Sequence, residues 1–227
     1  MKTLILGIGG MTNGGKSTLA RRLHQQIPNS CIIVVFFPQD DSVVPVDCSG
    51  FKQYDSKVLS ALHMDKMIND VDLWRKDPEA YMNGQGLNKE MKTLTADKGV
   101  FVLIVEGFLI FNYGPLNVLF DKKYFMEIPY DVCKERRSSR VYKPPDPPGY
   151  FDGHVWPMYL RNREEMMCMV SDMGELFLDG LSPKEELLAA VYEDVCQETE
   201  IVEVSSSKSN EGVVLHVLFN CHNCVQL

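Results

Sequence analysis

The sequence predicts an α/β fold in which helices cover both faces of a parallel sheet. Apolar runs alternate with helical patterns through about the first 200 residues, which is the rhythm of repeated strand–helix units. Residues 99–105 are apolar except for one glycine, as expected for a central strand that is buried on both faces. A glycine-rich motif stands between the first apolar run and the first helical pattern, where parallel-sheet proteins bind ligands.

The glycine-rich motif has the pattern of a phosphate-binding P-loop. Residues 10–17 read G-M-T-N-G-G-K-S, which matches G-x-x-x-x-G-K-[S/T]. Residues 3–6 before it predict a strand, and residues 18–23 after it predict a helix whose positive end faces the loop. We therefore predict a P-loop NTPase fold that binds a nucleoside triphosphate, with Lys16 on the β/γ-phosphates and Ser17 on Mg²⁺. The predicted nucleotide-binding residues in this segment are Gly10, Met11, Thr12, Asn13, Gly14, Gly15, Lys16, Ser17 and Thr18.

The remaining elements continue the alternation, and the first helix ends before Pro28. We predict further strands at residues 31–37, 99–105, 123–128 and 176–178. Further helices are predicted from the apolar stripe of residues 58–71 and at residues 130–140, 158–170 and 184–196. A serine-rich stretch after Glu198 leads to a second apolar run. We therefore divide the chain into a domain of residues 1–197 and an atypical C-terminal tail of residues 198–227.

Composition and charge exclude several classes of protein. A net charge of −8 argues against nucleic acid as a general partner, and no apolar stretch approaches the roughly 20 residues that cross a bilayer. The N-terminal apolar run leads directly into the glycine-rich loop, so it is a core strand rather than a targeting segment. The 7 scattered cysteines predict reduced thiols in the cytoplasm. One C-x-x-C pair, at residues 221–224, has no second pair at zinc-finger spacing.

Glu106 directly follows the most apolar predicted strand. Carboxyl ends of parallel strands form the ligand crevice, so Glu106 is expected beside Lys16 and Ser17. A buried carboxylate without a partner would be costly, whereas an acid at this place suits Mg²⁺ or its water shell. We predict catalytic roles for Lys16 and Glu106 and a metal-binding role for Ser17 and Glu106. The alternative is that Glu106 is a surface or helix-capping acid.

A basic helix precedes a proline-rich loop at residues 144–148. Four cations lie close together on that helix: Lys134, Arg136, Arg137 and Arg140. Arginines that close over a γ-phosphate stabilise the charge of phosphoryl transfer and exclude water. We therefore predict a helical lid at about residues 136–159, against the alternative of a solvated basic helix face. Tyr54, Asp55 and Tyr142 stand in loops, where aromatic rings can stack a heterocycle and a carboxylate can accept hydrogen bonds from a sugar diol.

The lid segment reads R-S-S-R-V-Y-K-P-P-D-P-P-G-Y-F-D-G-H-V-W-P-M-Y and is far more specific than the P-loop. Together with three other segments, it resembles the nicotinamide riboside kinases. The glycine-rich start and the Asp-Pro-Pro-Gly loop look most like the muscle-type branch of that family. The resemblance extends over residues 1 to about 197, and the matching segments are residues 7–18, 51–55, 105–109 and 137–159.

The resemblance implies a nucleoside-kinase-like sheet with a helical lid, which transfers the γ-phosphate of ATP to the 5′-hydroxyl of nicotinamide riboside. Nicotinic acid riboside is the implied second substrate, and the product serves NAD biosynthesis. The muscle-type branch is also named for integrin β1 binding, for which no residue of this chain gives support. A uridine or pantothenate kinase would keep Lys16 and Glu106 but would not need two paired tyrosines and this lid.

The resemblance also implies roles for individual residues around the substrates. Tyr54 and Tyr142 would hold the pyridine ring between them, which gives a cationic ring cation–π attraction. Asp55 and Arg137 would bind the ribose hydroxyls. The other implied contacts are those of Arg136, Arg140, Val141 and Tyr142 with ATP and of Lys143 with the substrate.

One segment departs from the family pattern. After the second strand the family carries Gln-Asp-Asp-Phe-Phe-Lys-Pro, whose first aspartate is the general base and contacts Mg²⁺. Residues 34–41 of this chain read V-V-F-F-P-Q-D-D, and valine can neither accept a proton nor bind a metal. Three explanations stay open: Asp40 or Asp41 is a relocated base, the chain binds ligands but turns over poorly, or the segment arises from a gene-model or splicing error. The alternative function is therefore a catalytically impaired protein that binds ligands or another protein.

Overall fold

The computed structural model describes residues 2–34, 62–85, 99–142, 145–169 and 177–199. Within these residues, one five-stranded parallel sheet has the order β2-β3-β1-β4-β5. The predicted parallel sheet is therefore confirmed. Its strands are β1 (Thr3–Gly10), β2 (Ser30–Val34), β3 (Phe101–Glu106), β4 (Lys122–Glu127) and β5 (Phe177–Asp179).

Helices connect these strands and lie on both faces of the sheet. They are α1 (Lys16–Gln26), α2 (Met64–Lys76), α3 (Pro78–Gly84), α4 (Gly114–Asn117), α5 (Tyr130–Ser138), α6 (Trp156–Met169) and α7 (Lys184–Thr199). A π-helical turn, Phe151–Val155, leads into α6. Across the described ranges, no helix has the length and apolar character needed to cross a membrane.

The alternation of side chains along β1 separates two cores. Leu4, Leu6 and Ile8 are buried with α1 and α7 on one face, because successive residues of a strand point to opposite sides. Ile5 is buried on the other face, with Trp74 of α2. Each face of the strand is thus covered, which explains why the central strands read as continuous apolar runs.

The first strand is longer than the prediction, which ended it at residue 6. β1 continues to Gly10 because Gly7 and Gly9 lie under the ring of Phe111. A Cβ atom at either glycine would come within 2.6 Å of that ring, so the glycines admit an aromatic side chain instead of ending the strand. The strand therefore delivers the P-loop at the carboxyl edge of the sheet.

Several predicted boundaries differ from the structure. Helix α6 begins at Trp156, not at residue 158, because the π-helical turn feeds directly into it. Helix α7 continues to Thr199, beyond the predicted domain boundary at residue 197. Helices α3 and α4 were not predicted, since each is short and begins with a proline in its first turn. Predicted residues 35–37, 58–61 and the tail from residue 200 lie outside the described ranges.

Candidate active site

The P-loop joins β1 to α1 through backbone conformations that favour glycine. Gly10 and Gly15 have φ values of 119° and 108°, in the left-handed region that side chains disfavour. A Cβ atom at Gly10 would also lie 2.2 Å from the carbonyl oxygen of Met126. Asn13, with φ of 61°, also has a left-handed backbone conformation, which asparagine adopts more readily than most residues. This geometry holds the loop against β4 with the amino end of α1 facing it.

Lys16 is buried beneath the loop that it is predicted to serve. Its Nζ donates hydrogen bonds to the carbonyl oxygens of Gly10 at 3.0 Å and Met11 at 2.8 Å. The ammonium also lies 4.2 Å from the ring centroid of Phe108, at the end of β3. Burial lowers the pKa of Lys16 to about 8, although the nearby Glu106 charge acts in the opposite direction. A phosphate oxygen would offer this cation a stronger partner than neutral carbonyls do.

Ser17 and Glu106 meet as the motif and the strand position predict. The Ser17 hydroxyl donates to Oε1 of Glu106 at 2.7 Å, and Glu106 is only 6% exposed. Both groups present hard oxygen atoms of the kind that Mg²⁺ prefers. No group of three or more His, Cys, Asp or Glu side chains that could hold a metal ion occurs among the described residues. By the chemistry of its two oxygen donors, the pair fits a magnesium ion that would take its other ligands from phosphate and water.

The end of β2 lies beside this pair. Val34, the last residue of the strand, is opposite Glu106 in the parallel ladder and is 45% exposed. The segment that departs from the family pattern therefore begins next to Glu106. Asp40 and Asp41 themselves lie outside the described residues.

Two of the predicted lid arginines approach the P-loop. Arg136, in the last turn of α5, donates to the carbonyl oxygens of Asn13 at 3.3 Å and Gly180 at 3.4 Å. Arg140 lies beyond the end of α5 and is exposed. Its charge adds to the effect of burial in lowering the pKa of Lys16. These positions suit cations that close over a triphosphate.

Arg137 has a different environment from its two neighbours. Its guanidinium forms a bidentate pair with Asp146, with nitrogen–oxygen distances of 2.6 and 2.9 Å. It lies 4.3 Å from the ring centroid of Tyr142, whose hydroxyl is 3.4 Å from the side-chain amide of Asn13. The predicted ribose contact of Arg137 stays a prediction. Sequence reasoning missed Asp146, whose position nine residues further on gives no helical or strand spacing to reveal the pair.

The described residues include only part of the predicted acceptor site. Tyr142 and Val141 are at the lid, where Tyr142 is partly exposed and Val141 is 90% exposed. Tyr54, Asp55 and Lys143 lie outside the described ranges. Sequence reasoning also missed Phe108, whose ring lies beside Lys16; its position two residues after Glu106, at the same edge of the sheet, was the available signal.

The chain is similar over most of its length to nicotinamide riboside kinases. Rat nicotinamide riboside kinase 1 is 49% identical over 88% of this chain and 97% of its own length. The human nicotinamide riboside kinases 1 and 2 are 45% and 44% identical over 87% and 85% of this chain, and over 94% and 80% of their own lengths. The identities are higher to kinase 1 than to kinase 2, so they do not support the predicted likeness to the muscle-type branch. No family model matches the chain. Shikimate kinase from Aquifex aeolicus, a solved structure, has a TM-score of 0.41 at 15% identity, over 86% of this chain and 98% of that one.

Proposed function

The chain belongs to the nicotinamide riboside kinase family, and we propose that it transfers the γ-phosphate of ATP to the 5′-hydroxyl of nicotinamide riboside. The product is the mononucleotide used in NAD biosynthesis. The observation that carries this proposal is the meeting of Ser17 with Glu106, beside a buried Lys16, at the carboxyl edge of the sheet. Phosphoryl transfer depends on positioned cations more than on covalent help from the protein.

The phosphate side of the site uses three cations of this chain. Lys16 exchanges its carbonyl partners for oxygens of the β- and γ-phosphates, and the loop N–H groups surround the same oxygens. Arg136 and Arg140 approach from the lid and stabilise the negative charge that spreads in the transition state. Ser17 and Glu106 would hold Mg²⁺, the latter directly or through water. When bound, that ion neutralises the phosphates and aligns them for transfer.

The acceptor side is proposed from the lid and from the family pattern. Tyr142 and Tyr54 would hold the pyridine ring, Asp55 and Arg137 would bind the ribose hydroxyls, and Lys143 would lie at the rim. The partly exposed ring of Tyr142, close to Asn13 of the P-loop, supports this arrangement. Nicotinic acid riboside has the same ring and sugar, so it is the proposed second substrate.

The test is ADP release with each riboside, measured beside calorimetric binding of the same riboside. We expect turnover with nicotinamide riboside and nicotinic acid riboside but not with uridine or pantothenate. Preferred phosphorylation of uridine or pantothenate would contradict the proposal. Binding without turnover would favour the second candidate, an impaired family member that only binds its ligands. One observation favours that candidate. Val34 lies beside Glu106, close to the place where the family pattern has its aspartates.

The metal-binding role of Glu106 predicts a specific defect in its amide variant. Glu106→Gln keeps the hydrogen bond from Ser17 but removes the charge, so we expect the Mg²⁺ concentration for half-maximal activity to rise about tenfold or more. Titration of activity with Mg²⁺ at fixed ATP measures this shift. Glu79→Gln, on an exposed side chain in the first turn of α3, is the matched control. An unchanged Mg²⁺ requirement in Glu106→Gln would show that Glu106 is not a metal ligand.

The proposed partners are small molecules, and the proposed location is the cytoplasm. The four cysteines of the described ranges form no disulfide with one another, which is in keeping with a reducing compartment. Integrin β1 binding forms no part of the proposal, because none of the described residues points to it.

A further inference from the structure

Asp146 lies in the proline-rich part of the lid and holds the guanidinium of Arg137. The two nitrogen–oxygen contacts measure 2.6 and 2.9 Å, and the Arg137 side chain is 5% exposed. A bidentate pair that is largely removed from water fixes both the orientation and the charge of the arginine. The second lid pair, Lys134 with Asp152, is different because both of its side chains are about half exposed.

The same guanidinium lies over a ring at the proposed acceptor site. Its Cζ atom is 4.3 Å from the ring centroid of Tyr142, and the Tyr142 hydroxyl is 3.4 Å from the amide of Asn13. One face of the ring is therefore turned to a lid cation, while the phenol reaches the P-loop. The side chain stays partly exposed. The ring thus joins the lid to the phosphate site.

The charge on Arg137 matters for what the opposite face of Tyr142 can bind. The face of an aromatic ring attracts cations, and Arg137 already uses this attraction on one side. A second cation on the other side would be repelled by an uncompensated guanidinium. Nicotinamide riboside carries a permanent positive charge on its pyridinium ring, whereas nicotinic acid riboside also carries a carboxylate and has no net charge.

We propose that Asp146 is a specificity-determining residue, which neutralises Arg137 behind Tyr142 and so allows this ring to accept a cationic pyridinium. The inference rests on the proposed function, because it takes the pyridine ring to stack on Tyr142. It assigns Asp146 an electrostatic effect on substrate choice, acting through Arg137 and the ring. Asp146 accordingly favours nicotinamide riboside over nicotinic acid riboside.

The test compares calorimetric affinities for both ribosides in the full chain and its variants. Asp146→Asn keeps the shape of the side chain and removes its charge. We expect the affinity for nicotinamide riboside to fall about tenfold and the affinity for nicotinic acid riboside to fall less than about threefold. The difference corresponds to the effect of one partly screened charge. Asp146→Glu keeps the charge and should retain the wild-type preference. Asp152→Asn, the matched control in the exposed lid pair, should change neither affinity by more than about twofold.

If Asp146→Asn lowered the affinity for both ribosides equally, Asp146 would have only a structural role and the inference would be overturned. Unchanged affinities for both ribosides would overturn it as well. Thermal melting monitors folding of each variant. Should Asp146→Asn fail to fold, the double variant Arg137→Gln/Asp146→Asn, which removes both charges, tests the electrostatic role instead. This double variant should keep the wild-type ratio of the two riboside affinities, and a shifted ratio would contradict the electrostatic role. If the wild-type chain binds neither riboside, the proposed function itself falls before any variant is compared.

Discussion

We expect Lys16→Met to lower kcat with nicotinamide riboside by about 10³-fold or more. Lys16 is the buried cation of the P-loop, and its ammonium now lies on the carbonyl oxygens of Gly10 and Met11. In the reaction the same group would follow the negative charge on the transferred phosphate. Removing a single preorganised donor from such a site typically costs 10²–10³ in rate, and here a full charge is lost as well.

The substitution is well suited to a test of mechanism because methionine fills nearly the same volume. Lys16 is buried near the ring of Phe108. An aromatic ring packs against the thioether of methionine as readily as against the side chain of lysine. We therefore expect the melting temperature to stay constant or rise, since burial of the charge already opposes the ionised form of Lys16. Steady-state ADP release and thermal melting together separate the loss of catalysis from unfolding.

The matched control is Lys184→Met, at the exposed first position of α7. It removes one lysine charge at a position outside the proposed site, and kcat should stay within about twofold of the wild-type value. A kcat of Lys16→Met within about tenfold of the wild type would contradict the assigned role of the P-loop lysine. Equal losses in both variants would instead indicate an effect of net charge alone.

The part of the site that sequence reasoning predicted is the part governed by local geometry. Residues 10–17 determine one backbone conformation through their glycines, and Ser17 necessarily follows Lys16 at the start of α1. Glu106 could be placed beside them because the carboxyl ends of β1 and β3 meet at one edge of a parallel sheet. The first inference depends on motif spacing, and the second on a general property of parallel sheets, so neither required knowledge of side-chain packing.

The lid could not be predicted to the same depth. Arg137 was expected to bind the ribose together with Asp55, but its pairing with Asp146 and its contact with the ring of Tyr142 were not expected. That arrangement depends on how the chain turns through several prolines, and no periodic pattern encodes such a turn. The predicted end of β1 at residue 6 was wrong for a related reason, which concerns Gly7 and Gly9. Their role is to admit Phe111, which lies about 100 residues away in sequence and is visible only in the folded chain.

The second large effect concerns the group that takes the proton from the 5′-hydroxyl. We expect Asp40→Asn combined with Asp41→Asn to lower kcat by about 10²–10⁴-fold, the usual contribution of a general base. These are the first carboxylates after Val34, which lies opposite Glu106 at the carboxyl edge of the sheet. Asparagine has the same shape as aspartate but cannot accept the proton. Binding of the riboside should therefore change by less than about threefold.

The measurement is kcat together with the riboside dissociation constant, and Asp72→Asn on α2 is the control for loss of one carboxylate. An unchanged kcat in the double variant would exclude both aspartates as the base.

A chimaera provides the complementary experiment. Restoring the family segment Gln-Asp-Asp-Phe-Phe-Lys-Pro after β2 supplies the missing acid. A rise of about 10²-fold or more in that chimaera, with riboside affinity unchanged, would show that the natural chain binds its substrate without an effective base. A fall in kcat of the double variant, with no gain in the chimaera, would show that the base has moved along the chain to Asp40 or Asp41.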